Sequence, residues 1–256
     1  MPVNGDEHRE TAVAALADRE YERAGDEYSR AGWRCLAAPR DGHSPFEPDD
    51  LGWVGRALGS LAVAAVAYRV AGRHSRATRR GVEGVAVAGD LRDITDDTAQ
   101  AACFAEFVAD FRTVGGLDGV ADAYEAAADA YRAAGETLTD PTDPTTTPLF
   151  QAAADLVRHV ARGTANGEIV VEWDDLHGPD PADGRAFLAH RARFKRRRFS
   201  EFVERAVEAG HLAAPRGTTE YGNANFRCPD CESTDVNWVA DGTFCLRCST
   251  PMVGRD

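Results

Sequence analysis

Four cysteines near the C-terminal end constrain this chain more than any other feature. They stand as Cys228-Pro-Asp-Cys231 and Cys245-Leu-Arg-Cys248, separated by thirteen residues. Two Cys-x-x-Cys pairs at that separation can place four thiolates around one tetrahedral ion. Each pair makes a tight turn that aims both sulfurs at a common point, and Pro229 stiffens the first. Val236, Trp238, Val239 and Phe244 between the pairs suit a short β-hairpin covering the ion. A segment of this length cannot bury enough apolar surface alone, so one structural Zn2+ is expected to fold it. A closed four-Cys site leaves no open position for catalysis. Three other readings use the same residues. Two disulfides are disfavoured in a cytosolic chain. A redox dithiol usually opens a helix in a βαβ context, and none is visible. A rubredoxin-type iron site shares the four-sulfur geometry.

On Cys228, Pro229, Cys231, Cys245 and Cys248, residues 224–253 resemble the zinc ribbon family. The chain departs at Ser249, where many such knuckles have glycine. The resemblance implies a module that binds nucleic acid or protein, and the motif does not choose between them.

The 256 residues are enough for two or three structural units, and the net charge is -13. Lys195 is the single lysine beside 28 arginines. Abundant acid with almost no lysine resembles proteins of salt-loving archaea; an ordinary acidic bacterial protein is the alternative. In concentrated salt the Debye length is about 3 Å or less, so a negative surface repels itself little. The acidity is therefore no argument against nucleic-acid binding. The first residues are polar and acidic, and the most apolar run, 58–66, is too short for a membrane span. A cytoplasmic protein without a membrane association is expected. Cys35 and Cys103 lie among apolar or alanine-rich neighbours and are expected to be buried free thiols.

Residues 7–163 show apolar positions recurring at three and four with abundant alanine, the pattern of successive helices. A phrase repeats: residues 21–32 and 124–135 agree at seven of twelve positions, including both tyrosines. Gly32, Gly72 and Gly135 are placed to end helices in a left-handed residue. The intervals Tyr28 to Tyr68 and Tyr68 to Phe111 are 40 and 43 residues, suited to stacked helical hairpins; Phe111 to Tyr131 is only 20. The phrase with its Tyr-x-x-Ala-Gly ending resembles tetratricopeptide repeats of the degenerate, SNAP-like kind. That resemblance implies a surface that binds a protein partner. A plain alanine-rich bundle remains the alternative. Residues 39–50 and 140–148 are proline-rich loops, and a helix is expected over 149–162.

After Gly167 the texture changes. Residues 168–173 read as a short strand, and 200–210 as a helix. Residues 185–205 carry seven Arg and one Lys against two Glu, a net of +6. Arg191, Arg193, Lys195, Arg196, Arg197 and Arg198 are the candidate phosphate contacts, since arginine forks fit phosphate. The competing reading pairs them with the chain's own acids. A strand, helices and a hairpin here loosely resemble a winged helix. A smaller cluster, Arg73, His74, Arg76, Arg79 and Arg80, reads as a solvated helix face.

No nucleophile, phosphate-loop or His-Glu-x-x-His motif is present, and no small-molecule substrate is evident. Asp174, Asp175 and His177 are a weak hard-metal set; His159 reads as packed or solvated, and Asp96 and Asp97 as helix N-terminal charges. The expected fold is mainly α: stacked antiparallel helices over 1–165, a basic α/β segment over 166–223 and a zinc ribbon over 224–256. The expected function is a non-enzymatic adaptor that binds a protein partner. The alternative is a nucleic-acid-binding regulator using the basic segment and the ribbon.

Overall fold

The computed structural model describes residues 5–37, 52–162 and 169–255. The proline-rich loop expected over 39–50 lies outside them. Six helices come first: α1 (Asp6–Ala17), α2 (Tyr21–Ala37), α3 (Gly52–Val70), α4 (His74–Ile94), α5 (Thr98–Gly115) and α6 (Val120–Gly135). Each packs against the next in order. A 3-10 turn at Pro144–Thr146 leads to α7 (Pro148–Ala161), where Pro148 opens the helix as expected. Then come the single turn α8 (Trp173–Leu176) and the long α9 (Gly184–Glu208).

Helix α3 shows why the helices gather as they do. Its sequence is apolar on every side, and Val54, Leu58, Leu61, Ala64, Ala65 and Val66 are all buried. A helix of that kind must be covered over most of its surface. It packs against α2, α4, α5, α7 and α9. Small residues set the close approaches. A Cβ on Gly81 would lie 2.7 Å from the Gly115 Cα, and one on Gly25 would enter the Tyr68 ring.

The repeated phrase falls on α2 and α6, with both tyrosine pairs buried. Its glycines do not act alike. Gly72 has φ +70 and ends α3, with the Arg73 amide donating to the Tyr68 carbonyl. Gly32 instead lies inside α2, which continues to Ala37, and there it makes room for Leu61. Gly135 closes α6 without a left-handed residue and abuts the Gly184 carbonyl. Asp97 caps α5 as the sequence suggests, accepting from the amides of Ala99 and Gln100.

Two local expectations are corrected. Among the described residues of 168–173 there is no strand. Glu172 and Asp175 form a reciprocal capping box that starts α8 at Trp173, and this local pairing outweighs the β-branched run before it. The helix expected over 200–210 is the second half of the continuous α9.

Past α9, Leu212, Ala213 and Ala214 are buried in extended chain. Strands β1 (Thr218–Glu220), β3 (Val236–Val239) and β4 (Gly242–Cys245) form an antiparallel sheet in the order β1-β3-β4. Strands β2 (Phe226–Arg227) and β5 (Val253–Gly254) pair separately. The β3–β4 hairpin is the one expected between the cysteine pairs, with Val236 opposite Cys245 and Val239 opposite Gly242. Among the described residues no helix is long and apolar enough to cross a membrane.

Candidate metal centre

The two Cys-x-x-Cys turns have matching hydrogen bonds. The amides of Cys228 and Cys245 donate to the carbonyls of Ser233 and Thr250, each five residues on. The amides of Glu232 and Ser249 donate back to the carbonyls of Cys228 and Cys245. Glu232 and Ser249, each directly after a pair, both have φ +62. Each turn therefore reverses tightly through a left-handed residue, which throws both of its thiols to one side. The Sγ atoms of Cys228 and Cys248 lie 3.5 Å apart, as do those of Cys231 and Cys245, and all four fall within 4.8 Å of one another. A tetrahedral ion with bonds of about 2.3 Å to sulfur has edges of about 3.8 Å.

The donor set fits a soft divalent ion. The Arg247 amide donates to the Cys245 Sγ, one of the backbone bonds that favour a thiolate there. A hydrogen bond from Cys245 holds the Cys248 thiol down to about 4, and the same bond pushes Cys245 up. Burial raises Cys228. Four thiolates this close cannot all ionise beside one another unless a cation is shared among them. Among the described residues this is the one group of three or more His, Cys, Asp or Glu side chains able to hold a metal. Asp174, Asp175 and His177 are not such a group: Asp175 caps α8, and His177 stacks on Trp173 at 4.2 Å.

The centre is tied to the helices. The Ser249 hydroxyl accepts the Ala214 amide at 3.1 Å. Arg162, at the end of α7, donates to the carbonyls of Ala214 and Leu246, the latter beside Cys245. His159 meets the Ala213 carbonyl at 2.8 Å, and burial holds its imidazole neutral, down to about 4. Serine at 249 thus explains the departure from glycine, since the strained residue supplies a latch. Left-handed strain in a non-glycine residue costs about 1–2 kcal/mol, and an orphaned buried amide about 1–3 kcal/mol. Ser249→Ala keeps the strain and orphans the Ala214 amide, whereas Ser249→Gly relieves the strain. Both variants remove the hydroxyl, so Ser249→Ala is expected to lose stability against the parent in denaturant titration, and Ser249→Gly less; Ser249→Ala as stable as the parent would remove the latch.

The basic segment divides. Arg193, Arg196, Arg197 and Arg198 lie toward the outside of α9, whereas Arg191 and Lys195 are buried. The Arg191 guanidinium grips Glu106 through Nε at 2.9 Å and Nη2 at 2.8 Å, and donates to the Phe150 carbonyl. Lys195 Nζ lies 2.7 Å from both Glu106 and Asp110 and donates to the Ala153 carbonyl. Tyr131 and Tyr124 donate to Glu106 and Asp110 at 2.6 Å. Two cations one turn apart on α9 face two carboxylates one turn apart on α5. Arg191 and Lys195 are therefore corrected from phosphate contacts to core residues, because burial leaves no path to an external phosphate. The competing reading, pairing with the chain's own acids, holds for both residues, although the sequence did not point to Glu106 and Asp110 as the partners.

On the outside, Arg196 pairs with Glu125 and Arg198 with Glu201, both at 3.2 Å, while Arg185 pairs with Glu136. The smaller cluster also reaches across: Arg73 and Arg76 pair with Glu22, and Arg76 with Asp26. Cys35 and Cys103 are buried thiols, as expected. Comparison with known families, curated proteins and solved structures finds no match to this chain.

Proposed function

We propose that this chain is a non-enzymatic, cytoplasmic zinc-binding adaptor, in which one structural zinc folds the C-terminal ribbon and the helical region engages a protein partner. The observation that carries the reading is the gathering of Cys228, Cys231, Cys245 and Cys248 within 4.8 Å on two matched turns. The donor set is all sulfur and closed, which suits a fold-forming ion rather than a reacting one. Zinc is favoured over iron because it holds this geometry without redox chemistry. The ribbon's latches to α7 make it a fixed extension of the helices. Helix α4 supports a protein-binding role: it buries one narrow face of small residues and leaves Val82 and Ile94 more than half exposed. The repeat-like phrase on α2 and α6 agrees with this reading by resemblance.

The nucleic-acid reading has less to stand on. Arg191 and Lys195 are used inside, and Arg196 and Arg198 carry carboxylate partners. Arg193 and Arg197 remain as cations without an ion pair among the described residues.

Two measurements test the proposal on the whole chain. Elemental analysis should return one zinc per chain; iron, or no metal, would overturn the zinc assignment. Capture from a high-salt lysate, with and without nuclease, should return the same protein partner for the parent and for the combined Arg196→Gln, Arg197→Gln and Arg198→Gln variant. Nucleic acid recovered by the parent, weakened in the variant and with a smaller salt slope, would replace the adaptor by the regulator.

A further inference from the structure

A cleft of about 940 Å³ runs between α3, α7, residues 169–173 and residues 215–217. It lies within the size range of small-molecule sites. Its floor is apolar, with Val63, Leu156, Val170 and Val171 among the lining residues, and Ile169 and Trp173 stand exposed at its edge. The face that α3 turns to it carries Gly59, where an added Cβ would meet nothing within 4 Å. The groove is thus open where an ordinary side chain would have filled it.

Three polar groups in this cleft lack the partners that similar groups find elsewhere in the protein. Tyr28 is 3 % exposed, and its hydroxyl, which is open to the cleft, has no hydrogen-bond partner among the described residues. By contrast Tyr68, Tyr124 and Tyr131 each donate to a carboxylate. Arg162 is 5 % exposed, with two carbonyl partners, no carboxylate and no partner for Nε. The Arg9 guanidinium has no ion pair among the described residues. Of the other cleft arginines, Arg158 lies 3.5 Å from Asp155 and Arg56 3.9 Å from Asp6, while Arg216 has partners of its own, Thr219 and Tyr221 among them. Five arginines line the cleft against two carboxylates, Asp155 and Glu172, in a chain of net charge -13. Glu172 is already engaged in the α8 cap.

Buried polar groups are nearly always paired, and a buried cation without a counter-charge is costly. An anionic group entering from the cleft would answer this deficit, and an apolar body would cover the floor behind it. We infer that this cleft binds a small organic anion, a carboxylate or phosphate carried on an apolar or aromatic body, held by Arg9, Arg162 and the Tyr28 hydroxyl. The inference does not depend on the identity of the metal or the partner.

The test is isothermal titration calorimetry on the full chain with 1-naphthyl phosphate and 1-naphthoate, using 1-naphthol and inorganic phosphate as controls. At least one of the two naphthyl anions should bind tenfold or more tighter than both controls, and the tighter of the two identifies the head group. Tyr28→Phe should weaken that binding several-fold without lowering the melting temperature, because the hydroxyl makes no internal bond to lose. Gly59→Phe should abolish it with the fold intact, since the added ring enters open space. Arg9→Gln, on an exposed side chain, should weaken it in the same direction and keeps the question open to test if Gly59→Phe misfolds. Naphthyl anions that bind no tighter than the controls would overturn the inference. So would binding that survives Gly59→Phe, or Arg9→Gln should the former misfold.

Discussion

Replacing Cys245 with serine, or stripping the proposed zinc with a chelator, is expected to unfold residues 224–253 and leave the helices standing. Apparent binding free energies of structural zinc in small ribbon-like units run to about 10–16 kcal/mol, and that energy is folding energy. The segment has little else. Its interior consists of Val236, Val239, Phe244, Leu246, Cys228 and Cys245, with strands of two to four residues. The helices keep most of their core around α3; the ribbon adds only Val239 and Phe244 to it, with Leu212 and Ala214 from the segment before it. The expected record is a near-unchanged helical signal at 222 nm with lost dispersion for the amides of residues 224–253. Loss of the latches should expose Ala213 and Ala214, so limited proteolysis should trim the chain through the unfolded segment back to about residues 211–217. A collapse of the helical signal would mean that ribbon and helices fold as one unit.

The second large effect lies in the buried quartet. Glu106→Gln is expected to destabilise the protein by about 3–5 kcal/mol, because it leaves Arg191 and Lys195 with only Asp110 as a counter-charge. Adding Lys195→Met should recover much of that loss, since the count of buried charges balances again. The double-mutant cycle in chemical denaturation checks both statements. Independent, additive losses would mean that the quartet is not coupled. The pH dependence has two parts. Burial alone would raise Glu106, but Arg191 and then Lys195 hold it down at about 2, below its ordinary 4.5. Its contribution is present above about 4.5 and is lost as pH falls toward 2. Asp110 runs the other way: burial pushes it up to about 6 against the pull of Lys195, so its ionisation removes stability as pH rises from 3.8 to 6. The parent should therefore lose stability steeply below about pH 4, and Glu106→Gln should flatten that acid limb. A Glu106→Gln curve parallel to the parent's on the acid side would place the titration elsewhere.

How much of this could be read from the chain depends on how local each cause is. The candidate metal centre was legible because four cysteines in two short turns need only their own spacing. The hairpin between them was legible because Val236, Trp238 and Phe244 alternate with polar residues. The helices followed from periodicity. Residues 168–173 misled, because Ile169, Val170 and Val171 signal a strand, while Glu172 and Asp175 signal a helix start and prevailed. The quartet required a contact between residues 85 apart, which no local pattern records. A hint was nevertheless available. Glu106 and Asp110 sit one turn apart in α5 among Phe104, Phe107, Ala109 and Phe111, on a helix otherwise fit only for the interior. Carboxylates at such positions ask for cations at the same spacing, and Arg191 and Lys195 provide them.

The burial of Lys195 has a consequence for how the folded chain meets reagents and enzymes. It is the only lysine in the sequence, and none of its surface reaches solvent. The native protein therefore offers no side-chain amine to acylating reagents, to aldehydes or to lysine-directed modifying enzymes. Any such adduct on residue 195 would record an opening of the α5–α9 core, so amine labelling here reads unfolding rather than surface.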